Sequence, residues 1–158
     1  MIRVILFLII SFVLSTSEFV AQSRIIFNQL TIEDGLSQSS VTCILQDKKG
    51  FMWFGTQDGL NRYDGYNIKI FKNNPGDSTS LTDNFIFSIY EDRSGRLWIG
   101  TWGGGLNRYD FVTDKFKAYT VQNGISNNTV YGILEGRDGS LWLSTNLGIN
   151  HFNPDLEL

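Results

Sequence analysis

The sequence predicts an all-β fold, a partial β-propeller of about three four-stranded blades. The 158 residues include 12 Phe, 6 Tyr and 4 Trp with 16 Gly but only 2 Pro, a composition typical of strands joined by tight turns. The chain also repeats: residues 36–56, 81–101 and 125–145 align without a gap, at offsets of 45 and 44. A period of about 40–45 residues with four short strands is typical of one propeller blade.

Each full repeat is predicted to contain four strands. In the first repeat they are 41–46, 51–56, 60–63 and 67–72. Asp47 and Gly50 mark the first turn, because an Asp side chain accepts backbone bonds and Gly supplies a positive φ. A Trp follows this Gly by three residues in every repeat, at positions 53, 98 and 142. We expect these three rings to pack between blades.

The first strand of each repeat is predicted to be the innermost strand. In Val41–Gln46 apolar residues fall on both faces, as expected for a strand covered by a neighbouring blade on each side. Its middle residue is small in every repeat (Cys43, Ser88 and Gly132), which suits the narrow space near a central axis. Cys43 is therefore interpreted as a buried space-filling residue and not as a reactive thiol.

Residues 1–23 are predicted to be a signal peptide. Arg3 precedes the apolar run Val4–Leu14, and Ala21–Ser23 offers small residues for cleavage. The run is too short for a membrane span of about 20 residues. We expect an exported, periplasmic protein whose mature chain, residues 24–158, begins near Arg24.

The ring is not expected to close within this sequence. Residues 27–36 align with 116–125, which predicts a closing outer strand at 25–32, while the third repeat stops before a fourth strand. Because known rings contain about 4–8 blades, three leave blade faces open. We expect self-association through these faces, which are predicted to expose the apolar side chains of Val130, Ile133, Trp142 and Leu143.

The repeat resembles that of a known family. The spacing Leu-Ser-x-x-x-Val-x-x-Ile-x-x-Asp-x-x-Gly-x-x-Trp-x-Gly-Thr-x-x-Gly-Leu-x-x-Tyr-Asp runs from Leu36 to Asp64, and it is similar to the two-component regulator propeller repeat. The approximate repeats are 36–80, 81–124 and 125–158. The third departs from the pattern, with Gly136 for Asp, Ser144 for Gly and His151-Phe152 for Arg-Tyr.

This resemblance implies a function. Family members are extracytoplasmic sensors of hybrid histidine kinases anchored in the inner membrane, mainly from Bacteroidota, and many detect glycan fragments. Their seven-bladed rings precede a kinase, which these residues lack. The resemblance therefore implies that this chain is an N-terminal fragment of such a sensor, with the remaining blades and the kinase as its partners.

Other classes of function are disfavoured. A net charge of −3 and a pI near 5.0 argue against nucleic acid as a partner. One His (His151) and one Cys (Cys43) on different repeats do not form a metal site, and no cofactor motif or nucleophile elbow is present. We expect no enzymatic activity in this chain. The alternative is a carbohydrate-active propeller enzyme of the sialidase or lyase kind.

A ligand is expected at the loops of one end of the propeller. These loops precede each inner strand or connect the second and third strands, and their residues differ between repeats. The predicted ligand contacts, to an oligosaccharide or another small molecule, are Gln57, Asp58, Asn84, Trp102, Asn128 and Asn146. The alternative that these are ordinary solvated loops stays open.

Overall fold

The computed structural model describes residues 25–156, which form three antiparallel sheets. The first blade contains β1 (Val41–Gln46), β2 (Met52–Thr56), β3 (Gly59–Tyr63) and β4 (Ile68–Phe71). The second contains β5 (Ile86–Glu91), β6 (Leu97–Thr101), β7 (Leu106–Asp110) and β8 (Lys115–Tyr119). The third contains β9 (Val130–Glu135), β10 (Leu141–Thr145) and β11 (Gly148–Phe152). The predicted all-β, partial-propeller fold is confirmed.

A β-bulge interrupts the inner strand at the same place in all three blades. The second residue of the strand has no partner in the ladder: Val41 pairs with Thr56 and Cys43 with Gly55, so that Thr42 is passed over. Phe87 and Tyr131 are passed over in the same way. A bulge bends its strand and re-aims the side chain of the extra residue. Each bulge lies at the end of the blade where the predicted ligand loops are.

The hydrophobic core lies between blades. In the first core, Trp53 from β2 packs against Tyr109 from β7, with ring centroids 5.0 Å apart. In the second, Trp98 from β6 packs against Phe152 from β11, with centroids 5.7 Å apart. Both Trp side chains are fully buried, which confirms the predicted packing for these two rings.

The prediction for the exposed face of the third blade was partly wrong. Val130 and Leu143 are fully buried in the second core, and Ile133 packs against it. Trp142 is 46% exposed. Successive side chains of a strand point to opposite faces, and β10 therefore directs Leu143 toward the second blade and Trp142 away from it.

The segment before the first blade has no partner strand among the described residues, and the closing outer strand at 25–32 stays a prediction. Residues 25–31 pair with no strand of the described chain, and Ile25, Ile26 and Phe27 are largely exposed. A strand requires a hydrogen-bonded neighbour, and no described strand lies beside this segment. The next residues do follow the aligned segment, because Thr31 and Thr120 cap equivalent 3-10 turns, Ile32–Asp34 and Val121–Asn123. The proposed signal peptide, residues 1–23, lies outside the described residues. Within residues 25–156, no helix is long and apolar enough to cross a membrane.

Candidate functional site

The predicted ligand loops share one end of the propeller, which we call the loop end. The turns from β2 to β3, β6 to β7 and β10 to β11 are built alike there. A Thr hydroxyl at the end of the second strand donates to the carbonyl of the Gly that begins or precedes the third: Thr56 to Gly59, Thr101 to Gly105 and Thr145 to Gly148, at 2.9–3.0 Å. This repeated bond fixes the base of each turn while leaving its tip variable.

Two of the predicted ligand contacts hold neighbouring blades together. The backbone carbonyl of Asn84 accepts the N–H of Gly59 at 2.7 Å, and that of Asn128 accepts the N–H of Gly105 at 2.8 Å. Their side-chain Oδ1 atoms accept backbone N–H groups of residues 73 and 121. Because these oxygens already serve the scaffold, we leave both residues out of the site proposed below.

Four aromatic side chains form a continuous cluster at the loop end. We define the aromatic cluster as Phe85, Phe87, Trp102 and Tyr131. The Trp102 ring lies 5.5 Å from Phe85 and 5.4 Å from Phe87, and Phe87 lies 4.9 Å from Tyr131. Two of the four rings come from the bulges of β5 and β9, which carry them out of the ladder. The cluster therefore joins the second and third blades.

The aromatic cluster is partly exposed to solvent. Phe85 and Phe87 lie 4.7 Å apart and both contact Trp102. The Trp102 indole is nevertheless 52% exposed. Tyr131 is 41% exposed. Such a surface can stack a planar or apolar face of a ligand.

Polar groups adjoin the aromatic cluster. The Tyr131 hydroxyl donates to Oδ1 of Asn146 at 2.6 Å, which brings the tip of the third turn to the cluster. The Trp102 backbone is held from both sides, since its N–H donates to the Phe85 carbonyl at 3.0 Å and its carbonyl accepts the Thr129 hydroxyl. The structure thus connects two of the predicted contacts, Trp102 and Asn146.

The two predicted contacts on the first blade stand apart. Asp58 forms an ion pair with Lys72 at 2.7 Å, and the Gln57 backbone N–H donates to the side chain of Gln38. Among the described residues, no hydrogen bond or ring contact joins them to the aromatic cluster. Their role in binding stays a prediction.

The recurring carboxylates serve the hairpins at the opposite end. Asp47 is buried and accepts the indole N–H of Trp53 at 2.8 Å, and Asp92 accepts that of Trp98 at 3.0 Å. Burial alone would raise the pKa of Asp92, but hydrogen bonds from Trp98 and Arg96 and the charge of Arg96 hold that pKa below its usual value. Both carboxylates therefore support their hairpins by accepting hydrogen bonds, as predicted from their place in the turns.

Cys43 and His151 have no hydrogen bond or ring contact with the aromatic cluster among the described residues. Cys43 packs against the first core, and burial raises the pKa of its thiol, which fits the space-filling role. His151 contacts Ser140 and Trp142 on the third blade. Among the described residues, no group of three or more His, Cys, Asp or Glu side chains is arranged to hold a metal ion.

The sequence patterns missed Phe87 and Tyr131. Strict alternation would place both in the regular ladder, and the hydrophobic pattern does not reveal the bulge. A signal was available in the repeats, because the position holds Thr42, Phe87 and Tyr131 while its neighbours hold similar residues. Phe85 lies in a loop that the sequence did assign to the ligand end.

Comparison with known proteins identifies the repeat. A family model described as two component regulator propeller matches residues 35–58, 80–103 and 124–147, one match in each blade. The chain belongs to this family. Its relatives include Histidine kinase P4 of Formosa agariphila, which is 57% identical over 60 residues, or 38% of this chain and 4% of the kinase.

Solved structures share the architecture. The extracellular domain of BT3049, a hybrid two component system from B. thetaiotaomicron, superimposes with a TM-score of 0.76 at 33% identity. The match covers 82% of this propeller chain and 19% of that domain. PorZ of the Porphyromonas gingivalis type-IX secretion system, with a TM-score of 0.59 at 19% identity over 72% of this chain and 17% of PorZ, shows the fold alone. The propeller chain thus spans a small part of these relatives.

Proposed function

We propose that this propeller is an extracytoplasmic ligand-sensing module of a two-component system of the hybrid histidine kinase type, and that it senses glycan fragments. The relatives support the system, since one is a histidine kinase and another is the extracellular domain of a hybrid two component system. The single observation that carries the ligand-binding role is the aromatic cluster.

The aromatic cluster supports recognition because it departs from the repeat. At the tip of the second turn, Trp102 replaces Gln57 of the first repeat and Asn146 of the third. The first and third blades form the same turn without an aromatic residue at this position, so the turn itself does not require the indole. Exposed aromatic faces beside amide and hydroxyl groups are the usual components of a small-ligand site.

The partners follow from the same relatives. Ligand binding to the propeller would be transmitted through further blades to a kinase in the full receptor. The propeller itself would catalyse no reaction. The leader at residues 1–23 would place it in the periplasm. In this proposal the chain is a part of a longer, inner-membrane sensor.

A glycan microarray tests the proposed function. The chain is applied to plant, algal and host oligosaccharides, and the strongest hit is titrated by calorimetry. We expect Trp102→Ala to weaken binding at least tenfold, or about 1.4 kcal/mol, without changing the circular dichroism spectrum.

Tyr66→Ala is the matched control, because Tyr66 is a 92% exposed aromatic residue in the β3–β4 turn, at the other end of the blade. Equal losses in both variants would argue against the aromatic cluster as the site. Absence of binding to every glycan would overturn glycan sensing, and hydrolysis or elimination of a bound glycan would favour the enzyme alternative.

A further inference from the structure

We infer that the aromatic cluster selects uncharged saccharides over sulfated or uronic-acid-containing ones. This inference rests on the proposed function and narrows its ligand class. It is carried by two observations: how charge is distributed between the two ends of the propeller, and where one carboxylate lies beside Trp102.

Charge at the loop end is mostly negative. The described segments at this end (31–40, 57–59, 72–73, 81–85, 102–105, 120–129 and 146–148) contain one lysine against four carboxylates, a formal balance of −3. The lysine, Lys72, is already paired with Asp58 at 2.7 Å. No other cation of these segments is available to neutralise a sulfate or a carboxylate.

The cations of the inner turns lie at the opposite end. Lys48 follows β1, and its Nζ donates to the carbonyls of residues 92 and 93 at 2.7 and 2.9 Å. Arg93 follows β5 and reaches the third blade in the same way, donating to the Gly136 carbonyl at 2.6 Å. These side chains join blades, and they point away from the aromatic cluster because the inner strands separate the two ends.

One carboxylate lies against the aromatic cluster. Asp83 Oδ1 accepts the N–H of Phe85 at 2.8 Å, which fixes the side chain in the linker before β5. Its Oδ2 faces the turn next to Trp102, where a Cβ added to Gly103 would come within 3.0 Å of it. A carboxylate held there repels an anionic ligand, yet it can accept a hydrogen bond from a sugar hydroxyl.

The other groups at the site are uncharged. Asn146 uses Oδ1 to accept the Tyr131 hydroxyl, which leaves its Nδ2 donors directed away from that bond and suited to a sugar hydroxyl. The exposed part of the Trp102 indole can stack on the C–H face of a pyranose. Stacking, amide donors and a carboxylate acceptor together match a neutral saccharide.

Calorimetry with two sets of hexasaccharides tests the inference. The full chain is titrated with cellohexaose, xylohexaose and mannohexaose, and with hexasaccharides of heparin, chondroitin sulfate and polygalacturonate. We expect the best neutral ligand to bind at least tenfold more tightly than any anionic one, and its affinity to change less than twofold between 0.01 and 0.15 M salt.

Asp83→Asn sharpens the test. The amide oxygen can still accept the Phe85 N–H, and the variant should therefore fold. It should raise affinity for the anionic hexasaccharides at least threefold at 0.01 M salt. Asp77→Asn is the matched control, because it removes the same charge from the 73–80 loop, where Asp77 bonds to Thr79. It should leave the affinities for the neutral and the anionic hexasaccharides unchanged.

The outcomes separate the two proposals. Tighter binding of an anionic hexasaccharide that is lost in Trp102→Ala would overturn the preference for neutral saccharides and leave glycan sensing in place. If the chain binds neither the neutral nor the anionic hexasaccharides and no glycan on the microarray, both glycan sensing and the preference for neutral saccharides are overturned.

Discussion

The first two blades and the third blade solve the same packing problem with different groups. In the first two, a buried carboxylate at the β1–β2 or β5–β6 turn accepts the indole N–H of a fully buried Trp. In the third, Gly136 replaces the carboxylate, and Trp142 is 46% exposed. Burying a carboxylate costs free energy unless hydrogen bonds satisfy it. The pair of a buried Asp and a Trp indole N–H is present in the two blades whose Trp ring is covered by the next blade.

The third blade uses another set of bonds at this corner. Ser140 Oγ lies 2.6 Å from Oδ1 of Asp138 and 2.6 Å from Nε2 of His151, and the His151 ring packs 4.5 Å from Trp142. The corner is still closed by hydrogen bonds, but Asp138 and His151 are exposed to solvent. The same backbone hairpin thus accommodates either a buried carboxylate, as in the first two blades, or a solvent-exposed group of polar side chains, as in the third.

Replacing the Trp residues should give the largest difference in stability between the second and third blades. Trp98→Ala removes a fully buried ring between two blades and should lower the free energy of unfolding by about 4 kcal/mol. Trp142→Ala removes a half-exposed ring and should cost about 1 kcal/mol. Urea unfolding followed by circular dichroism at several protein concentrations measures both. Equal losses would show that Trp142 is covered in solution, as the predicted self-association requires.

The carboxylates should give the next largest difference. Asp92→Ala leaves the indole N–H of Trp98 and the Arg96 guanidinium without their buried acceptor and should cost about 3 kcal/mol. Asp138→Ala, the control in the third blade, removes a solvent-exposed side chain and should have much the smaller effect. The same urea experiment compares the two variants. A larger loss of unfolding free energy for Asp138→Ala would contradict the distinction between the buried and the solvent-exposed carboxylate.

The smallest expected effect concerns the outer parts of the blades. The Tyr109 hydroxyl contacts Arg62 and Asp114 between the first two blades, whereas its counterpart Phe152 has no hydroxyl. Hydrogen bonds from Lys69 and Tyr109, with the charge of Arg62, lower the pKa of Asp114 to about 2. Asp114 is partly exposed, and we expect Asp114→Asn to cost under about 1 kcal/mol at pH 7.

The pH dependence of this effect has a defined sign. Because the pKa of Asp114 is lowered by folding, its contribution is complete above the unfolded value, 3.8, and is lost as the pH falls through about 2. The stability difference between the wild-type chain and Asp114→Asn should shrink over this window. A difference that stays constant from pH 5 to pH 2 would show that the ionised carboxylate is not what joins the blades.

Much of the scaffold could be predicted because the chain contains three versions of it. The inner strands match their predicted bounds, and the tips holding Trp102 and Asn146 were assigned to one end because each connects the second and third strands of its blade. The bulges were not predictable, since apolar alternation is the same with or without an extra residue. Nor did the sequence reveal that the Asn84 and Asn128 carbonyls join blades, because any residue can supply a backbone carbonyl.

One departure from the repeat has a packing explanation. A Cβ on Gly55 would come within 2.5 Å of Cys43 Sγ, and one on Gly100 would collide with Ser88 and the Val130 carbonyl. In the third blade the small residue changes sides, with Gly132 on the inner strand and Ser144 on its neighbour. Each facing pair thus combines one Gly with one small residue, and its total volume stays nearly the same. The change at Ser144 is explained only when Gly132, its partner on the inner strand, is considered with it.

The bonds at the base of each loop-end turn have a consequence for how such a protein can evolve. Thr and Gly recur in all three turns and hold the frame, and the N–H of Gly59 or Gly105 secures it to the next blade. The side chain of the tip residue, Gln57, Trp102 or Asn146, makes none of these bonds. In the proposed function, a substitution at one tip would therefore change recognition and leave the base of the turn in place, and duplicated blades would provide several positions at which new specificities can arise.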